Sequence, residues 1–276
     1  RLILLIALFL LVTLGLLVSR ILAFVQLFFE HSGVAITQQE IASAYAEPGG
    51  QQRPQLIPKI IHQVYHDWRH QNQLLPSDWD DLRQTCISLN EDWEYMLWTE
   101  EKSRDFLEAN YPHFIKTYDG YRYPVQRVDA LRYFLMHHYG GIYLDLDNGC
   151  LESLTPFLYY PAWTVDGGHG ALSNNILGSK PSHPFWKLLT DSLLTYDYNY
   201  FFPYVTISYA SGQWFETAIW QEYHSSTTPE NHLYRIMLDN RPGTDPWIFF
   251  TQARGETWKN WDNVMFLWIG DHLIVL

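Results

Sequence analysis

The sequence predicts an α/β fold, a sheet-centred domain tethered to a membrane through its N-terminus, and three observations carry that reading. From residue 56 onward, short apolar β-rich runs alternate with longer segments of helical spacing, as strands and helices laid down in turn would read. A helical pattern opening at Pro124 is halted by Gly140 and Gly141 and passes directly into the alternating run Ile142 to Leu146. Leu2 to Val18 is apolar apart from Thr13 and Gly15, and the apolar character resumes from Ile21 to Phe29. At about 1.5 Å per residue, a hydrocarbon core takes roughly 20 residues to cross, and this segment is long enough.

In order along the chain, residues 1–30 are expected to form the transmembrane anchor, with Arg20 either snorkelling or marking the end of the span. A cleaved signal peptide is the alternative, but bulky Phe24 to Phe29 lacks the small residues of a cleavage site. Residues 31–55 lose periodicity and collect Gln, Ser, Ala, Pro48, Gly49, Gly50 and Pro54, so they read as a stem or linker. The folded domain is expected over 56–265. Within it, strands are expected over Leu56 to Tyr65, Tyr95 to Trp98 and Ile142 to Leu146, with Thr99 a helix N-cap ahead of Glu100 and Glu101. Val125, Val128, Leu131, Leu135 and Tyr139 recur every three or four residues and form one apolar stripe on the helix after Pro124. Further strands are expected near Ala162 to Val165, Ile176, Leu233 to Leu238 and Trp247 to Phe250, and helices around Phe185 to Thr195 and Gly212 to Tyr223. Residues 266–276 are apolar apart from Gly270, Asp271 and His272, and read as the start of a second membrane segment.

Composition narrows the function. Thirty acidic against 18 basic residues leave a formal charge of −12, which repels nucleic-acid phosphates and anionic surfaces alike. Nucleic acid is therefore excluded as a partner. The two cysteines, Cys86 and Cys150, are too few for a four-cysteine zinc site, and no CxxC or HExxH occurs. A disulfide in an oxidising compartment and two buried thiols both remain open.

The chemistry concentrates at one strand end. Alternation along Ile142 to Leu146 turns Tyr143, Asp145 and Asp147 the same way, so two carboxylates converge where ligands of open α/β sheets sit. Such a pair suits a divalent cation and its water shell. Asp129 and Arg132, three apart on the preceding helix, share a face, with Arg122 and Arg127 nearby. The plain alternative is a solvated turn before Asn148 and Gly149 and an ordinary helix ion pair. Among aromatic residues, Tyr65 and Trp258 are candidates to stack on a base or sugar, although most such rings are simply core. His62, His137 and His138 carry the same discount. Lys59 and Arg254 are candidate phosphate contacts against a default of surface solvation.

The whole string from Arg127-Val-Asp129 through Gly140-Gly141 to Asp145-Leu-Asp147 is far more specific than its last three residues. It resembles the donor-binding core of family 32 glycosyltransferases of the DXD type. Ile57-Pro-Lys-Ile-Ile-His-Gln63, Trp93-Glu-Tyr-Met-Leu-Trp98 and Ser173-Asn-Asn-Ile-Leu-Gly178 are similar to further blocks of that family. Asp145-Leu-Asp-Asn-Gly-Cys150, Phe202-Pro-Tyr-Val-Thr206, Ile219-Trp-Gln-Glu-Tyr223 and Arg254-Gly-Glu-Thr-Trp258 resemble the subgroup that makes mannosyl-inositol-phosphorylceramide. Ala210-Ser-Gly-Gln213 and Gly255-Glu-Thr-Trp258 depart from its pattern, and Glu256 falls in a loop expected to close over diphosphate and metal.

The resemblance implies a GT-A-like (Rossmann-like) mixed sheet flanked by helices, making 56–265 a catalytic domain. It implies a retaining mannosyltransferase using a GDP-mannose donor, an inositol phosphorylceramide acceptor and Mn²⁺ or Mg²⁺, in the Golgi membrane with the domain lumenal. Asp147 is then the metal ligand with Asp145 beside it. Asp145 orders donor hydroxyls, Asp129 and Arg132 hold the mannose, and Asn174, Tyr65 and Trp258 complete the donor-binding set. A regulatory membrane subunit is a candidate partner. The alternatives are an N-glycan or protein α-mannosyltransferase of the same family, or a catalytically silent membrane-tethered sugar-binding subunit.

Overall fold

A computed structural model describes residues 1–29, 32–68, 75–166, 171–237, 247–253, 255 and 258–272. An N-terminal helix, α1 (Leu2–Leu27), projects from a domain that opens with β1 (Val34–Thr37) and α2 (Gln38–Ala46). There follow β2 (Ile60–Val64), α3 (Ser77–Leu89), β3 (Glu94–Trp98), α4 (Glu100–Asn110), α5 (Ile115–Gly120) and α6 (Pro124–His138). Next come β4 (Gly141–Leu144), β5 (Asn148–Cys150), β6 (Ala162–Asp166), β7 (Leu172–Ser179), α7 (Pro184–Ser192), α8 (Pro203–Ala210) and α9 (Gln213–Ser226). The chain closes with β8 (Tyr234–Met237), β9 (Phe250–Gln252) and α10 (Asn263–His272). Among the described residues, the main sheet has the order β1-β8-β6-β7-β4-β2-β3, and β5 pairs with β9 in a separate ribbon. All neighbours in the main sheet run parallel except that β7 is antiparallel to both β4 and β6, so the expected mixed α/β sheet flanked by helices is present.

Local chemistry accounts for the elements that place the site. The Thr99 hydroxyl accepts from the Lys102 N–H at 3.3 Å and caps α4. Pro124 begins α6, where its missing N–H costs nothing. Gly140 and Gly141 both take positive φ, +66° and +89°, and a Cβ on either would press to within 2.5 and 2.7 Å of the Ser179 and Ile60 carbonyl oxygens. Only glycine permits that direct passage from helix to strand. The stripe expected on α6 is incomplete: burial runs almost all round it and takes in Asp129 and Arg132, because α5, α7 and α8 pack against it as well as strands of the sheet.

Three expectations need correction, and one helix went unexpected. The strand expected over Ile142 to Leu146 is Gly141–Leu144, since Asp145 to Asn148 turn instead, with the Asn148 N–H donating to the Asp145 carbonyl at 2.9 Å. The segment read as a linker is folded: β1 pairs in parallel with β8, and a Thr37–Glu40 capping box opens α2, whose Ile41 is wholly buried. The final strand is Phe250–Gln252 rather than Trp247 to Phe250, and α8 had no counterpart in the sequence reading. Leu238, Arg254, Glu256, Thr257 and residues 273–276 lie outside the described residues, so the fate of the last apolar segment is seen only as far as α10.

Cys86 of α3 and Cys150 of β5 form a disulfide. The same helix also holds β5 through the Thr85 hydroxyl, which accepts from the Cys150 N–H at 2.9 Å. α1 is the one helix among the described residues long and apolar enough to cross a membrane, and it is exposed along most of its length.

Candidate active site

The turn that ends β4 is fixed from every side. The Asp145 N–H donates to the Asn175 carbonyl of β7 at 2.8 Å, and the Ala253 N–H, just past β9, donates to the Asp147 carbonyl at 2.7 Å. The two carboxylates are set by near neighbours: Tyr143 donates its phenol to Asp145 Oδ1 at 2.5 Å, and Asn148 donates its amide to Asp147 Oδ1 at 2.9 Å. Gly255 sits so close to Asp147 that a Cβ there would fall 2.2 Å from Oδ2. The backbone of Ala253 and that of Gly255 therefore both approach the turn.

Behind the turn, α6 presents a buried charge cluster. Arg132 Nη2 lies 3.0 Å from Asp129 Oδ1 and 3.3 Å from Asp145 Oδ1, and Nη1 donates to the Asn174 carbonyl at 2.6 Å. Its guanidinium also stands 4.9 Å over the Tyr143 ring. Asp129 accepts further bonds from the Asn174 amide at 3.2 Å and the Ser211 hydroxyl at 3.0 Å, while Tyr133 donates to the Ser211 carbonyl at 2.8 Å. Helix α6, the turn, β7 and the α8–α9 junction are thus tied into one network.

Electrostatics follow from burial. Desolvation disfavours charge on Arg132, but Asp145, Tyr143 and Asp129 around it hold its pKa above the ordinary value. Burial raises Asp129 and Asp145, opposed in each case chiefly by Arg132. Asp147 is pushed up to about 7, first by burial and then by the charge of Asp145, and Arg132 offsets this only weakly.

Asp129, Arg132, Asp145, Asp147, Asn174, Tyr65 and Trp258, singled out in the sequence, all line one cavity of about 270 Å³. Trp68 and Trp79 join Tyr65 in its lining, as do Ile207, Ser208, Gly212 and Gln213. Trp258 stacks on Tyr204 at 5.6 Å with 22° between planes, so one of its faces is already covered. His66 also borders the cavity, 2.9 Å from the Ser103 hydroxyl, and burial pushes its pKa down to about 3.

Other expected contacts lie elsewhere. His62 is a core histidine, taking the Trp98 indole N–H on Nδ1 at 3.1 Å and meeting the Gly140 carbonyl at 3.0 Å, and burial lowers its pKa to about 4. His137 and His138 do not line the cavity, and Lys59 pairs with Asp92 at the surface. Tyr133, Asn175 and Ser211 lie inside blocks singled out in the sequence but carry no role legible there, because their contacts are made across the fold. Tyr143 was legible as the residue two before Asp145 on the same strand face.

A pair of turn carboxylates at a strand's carboxyl end thus shares one cavity with the buried Asp129–Arg132 pair, and the chain's relatives indicate the class of protein in which to place it. Residues 76–164, the segment that carries Asp145-Leu-Asp147, match the family described as glycosyltransferase sugar-binding region containing DXD motif. The chain is 37% identical over 227 residues to mannosyl phosphorylinositol ceramide synthase SUR1 of Saccharomyces cerevisiae, covering 82% of this chain and 58% of that protein. It is 38% identical over 221 residues to inositol phosphoceramide mannosyltransferase 2 of Schizosaccharomyces pombe, covering 79% of this chain and 63% of that protein. The chain thus spans about three fifths of the length of these curated relatives. Among solved structures it is similar to PaToxG glycosyltransferase, with 16% identity, a TM-score of 0.45, and coverage of 67% of this chain and 74% of the other.

Proposed function

We propose that this chain is a membrane-anchored, metal-dependent retaining mannosyltransferase that moves mannose from GDP-mannose to inositol phosphorylceramide in sphingolipid synthesis. The observation that carries the reading is the convergence of Asp145 and Asp147 on the same cavity as the buried Asp129–Arg132 pair. The names of the relatives, a ceramide mannosyl synthase and an inositol phosphoceramide mannosyltransferase, supply the donor sugar and the acceptor class. A domain facing an oxidising lumen such as the Golgi's accords with the Cys86–Cys150 disulfide.

The residues fit a hard divalent cation, Mn²⁺ or Mg²⁺. Asp147 offers carboxylate oxygens in a half-buried position where its own charge is disfavoured, and among the described residues no third His, Cys, Asp or Glu gathers there. Such a site leaves room for water and diphosphate oxygens as the remaining ligands. Asp147 would hold the ion directly, and Asp145 would order its water shell and the sugar hydroxyls. When bound, the cation supplies charge neutralisation for the departing nucleoside diphosphate.

The chain's own residues do the positioning. Arg132, held by Asp129, Asp145 and Asn174, fixes the turn relative to α6 and keeps positive charge beside the cavity. Asp129 and Asn174 offer acceptor and donor groups for mannose hydroxyls. Tyr65, Trp68 and Trp79 give the base apolar faces. Besides this network, the cavity lining among the described residues holds the carboxylate of Asp67, and in the reading proposed here the acceptor hydroxyl attacks from the face the diphosphate leaves. The bond from the anomeric carbon to diphosphate oxygen breaks as the new glycosidic bond forms, and the hydroxyl proton passes to the departing phosphate oxygen. Incubating the membrane-embedded protein with Mn²⁺, labelled GDP-mannose and either inositol phosphorylceramide or a glycan tests this. Mannosylated lipid supports the reading, mannosylated glycan replaces the acceptor, and neither transfer nor donor hydrolysis would leave a silent sugar-binding subunit.

A further inference from the structure

Beside the cavity, the domain exposes an aromatic surface that its own fold leaves uncovered. Tyr198, Phe201, Trp261, Val264 and Trp268 are 60, 83, 67, 74 and 53% exposed. Trp261, Val264, Met265 and Trp268 recur at three- and four-residue spacing and share one face of the α10 segment, while Phe266 points the other way and stacks on Tyr204 at 5.5 Å. α10 is therefore apolar on both sides, one held by the domain and one turned outward. The Phe201 and Trp261 rings lie 6.3 Å apart, which joins the loop before α8 to α10 in one continuous patch. Exposed apolar surface of this kind on a folded domain marks a docking face.

The patch is continuous with the apolar helix. Phe24 of α1 packs against Tyr209 and Trp214 at 5.7 and 4.8 Å, Tyr200 lies 6.1 Å from Tyr209, and Trp214 lies 6.3 Å from Phe266. Arg20 is the one charged residue within α1, and its charge partly offsets the burial that raises the Tyr200 and Tyr209 phenols, so it stands level with this surface. Cation, tyrosines and tryptophans at the end of an apolar span form the arrangement found at a membrane–water boundary. The patch itself holds little positive charge: Leu194 to Tyr204 contains Asp197 and no Lys or Arg, and Trp258 to Trp268 contains Lys259 and the buried Asp262. Its chemistry suits the acyl–headgroup boundary of a bilayer rather than electrostatic attraction to anionic lipid.

We infer that the surface formed by Tyr198, Phe201, Trp261, Val264 and Trp268 sits in the interface of the bilayer that α1 crosses and seats the domain on the membrane. The inference rests on α1 as a membrane span and is independent of the transferase reading. It also gives the cavity an orientation. The Tyr204 ring is held between Trp258 at the cavity wall and Phe266 of α10, so a single aromatic stack separates the cavity from the lipid-facing surface.

Site-directed spin labelling of the full chain in phosphatidylcholine vesicles tests this. The native cysteines are tied in a disulfide, so single labels report from Phe201→Cys, Trp261→Cys and Val264→Cys. Leu11→Cys serves as a reference inside the span, and Asp92→Cys as one on the exposed far edge of the sheet. The ratio of oxygen to nickel-chelate accessibility should be severalfold higher at 201, 261 and 264 than at 92, and lower than at 11. If those three match position 92 while position 11 reads as lipid, the docking surface is refuted and the span stands. If position 11 is aqueous as well, the span falls and the inference with it. Shielding of all three from both reagents, with spin–spin broadening between chains, would assign the patch to a second copy and overturn the bilayer as its occupant.

Discussion

The guanidinium of Arg132, on α6, approaches Asp145 Oδ1 on the turn after β4 to 3.3 Å, bridging a buried helix to the edge of the cavity. The same group neutralises Asp129, which is almost fully buried. Removing it by Arg132→Ala leaves two carboxylates uncompensated, a change that typically costs about 3–5 kcal/mol when a buried pair is broken. Arg132→Lys keeps the charge but loses the planar fork that reaches Asp129, Asp145 and Asn174 together, so it should cost less stability while weakening donor binding. Urea unfolding in detergent and calorimetry with GDP-mannose read the two effects. An Arg132→Ala protein as stable as the wild type would remove Arg132 from its bridging role.

Gly255 and Asp147 make the next expectation. Because the atom a Cβ would strike is the tip of a carboxylate, Gly255→Ala should rotate Asp147 rather than unfold the domain. The variant should therefore keep its melting temperature and bind GDP with Mn²⁺ as poorly as Asp147→Asn does. Unchanged nucleotide binding in Gly255→Ala would mean that the close approach has no part in the site.

The disulfide is set to matter twice. Cys86 and Cys150 are 64 residues apart, and closing such a loop typically contributes about 2–4 kcal/mol. It also fixes β5, which begins one residue after Asp147. Cys86→Ser/Cys150→Ser should lower the urea midpoint by an amount that reductant reproduces in the wild type, and should weaken donor binding as the turn loses its anchor. Equal midpoints with and without reductant would contradict the first claim, and intact donor binding the second.

What the sequence made legible was local. Pro124 at a helix start, Gly140 and Gly141 at its stop and Thr99 as a cap each act through their own backbone, so their meaning survives without tertiary context. Asp145 and Asp147 were rightly brought together for a reason that proved incomplete, since they converge through a hydrogen-bonded turn and not through strand alternation. The β1 strand was hidden because its four residues gain stability only from β8, two hundred residues away, although the Thr37–Glu40 capping box was a local sign of folded chain there. The pairing of Cys86 with Cys150 and the contact of Ser211 with Asp129 are long-range for the same reason, and no spacing rule carries them.

Glu216 on α9 gives a pH dependence whose sign can be worked out. Its side chain is wholly buried, and burial pushes its pKa up to about 8, opposed first by the Thr164 hydroxyl. The native state thus keeps the proton that the unfolded chain releases near the ordinary value of 4.5. The stability this provides is complete below that value and is lost as pH rises toward about 8, by up to about 1.4 kcal/mol per pH unit, with no further loss above. Glu216→Gln has the same shape and no proton to lose, so it should match the wild type near about pH 5 and exceed it increasingly up to about pH 8. Urea midpoints of the two proteins across that range measure the difference directly. A gap that stays constant with pH would mean that Glu216 titrates alike in the folded and unfolded chain, and the burial argument would fail.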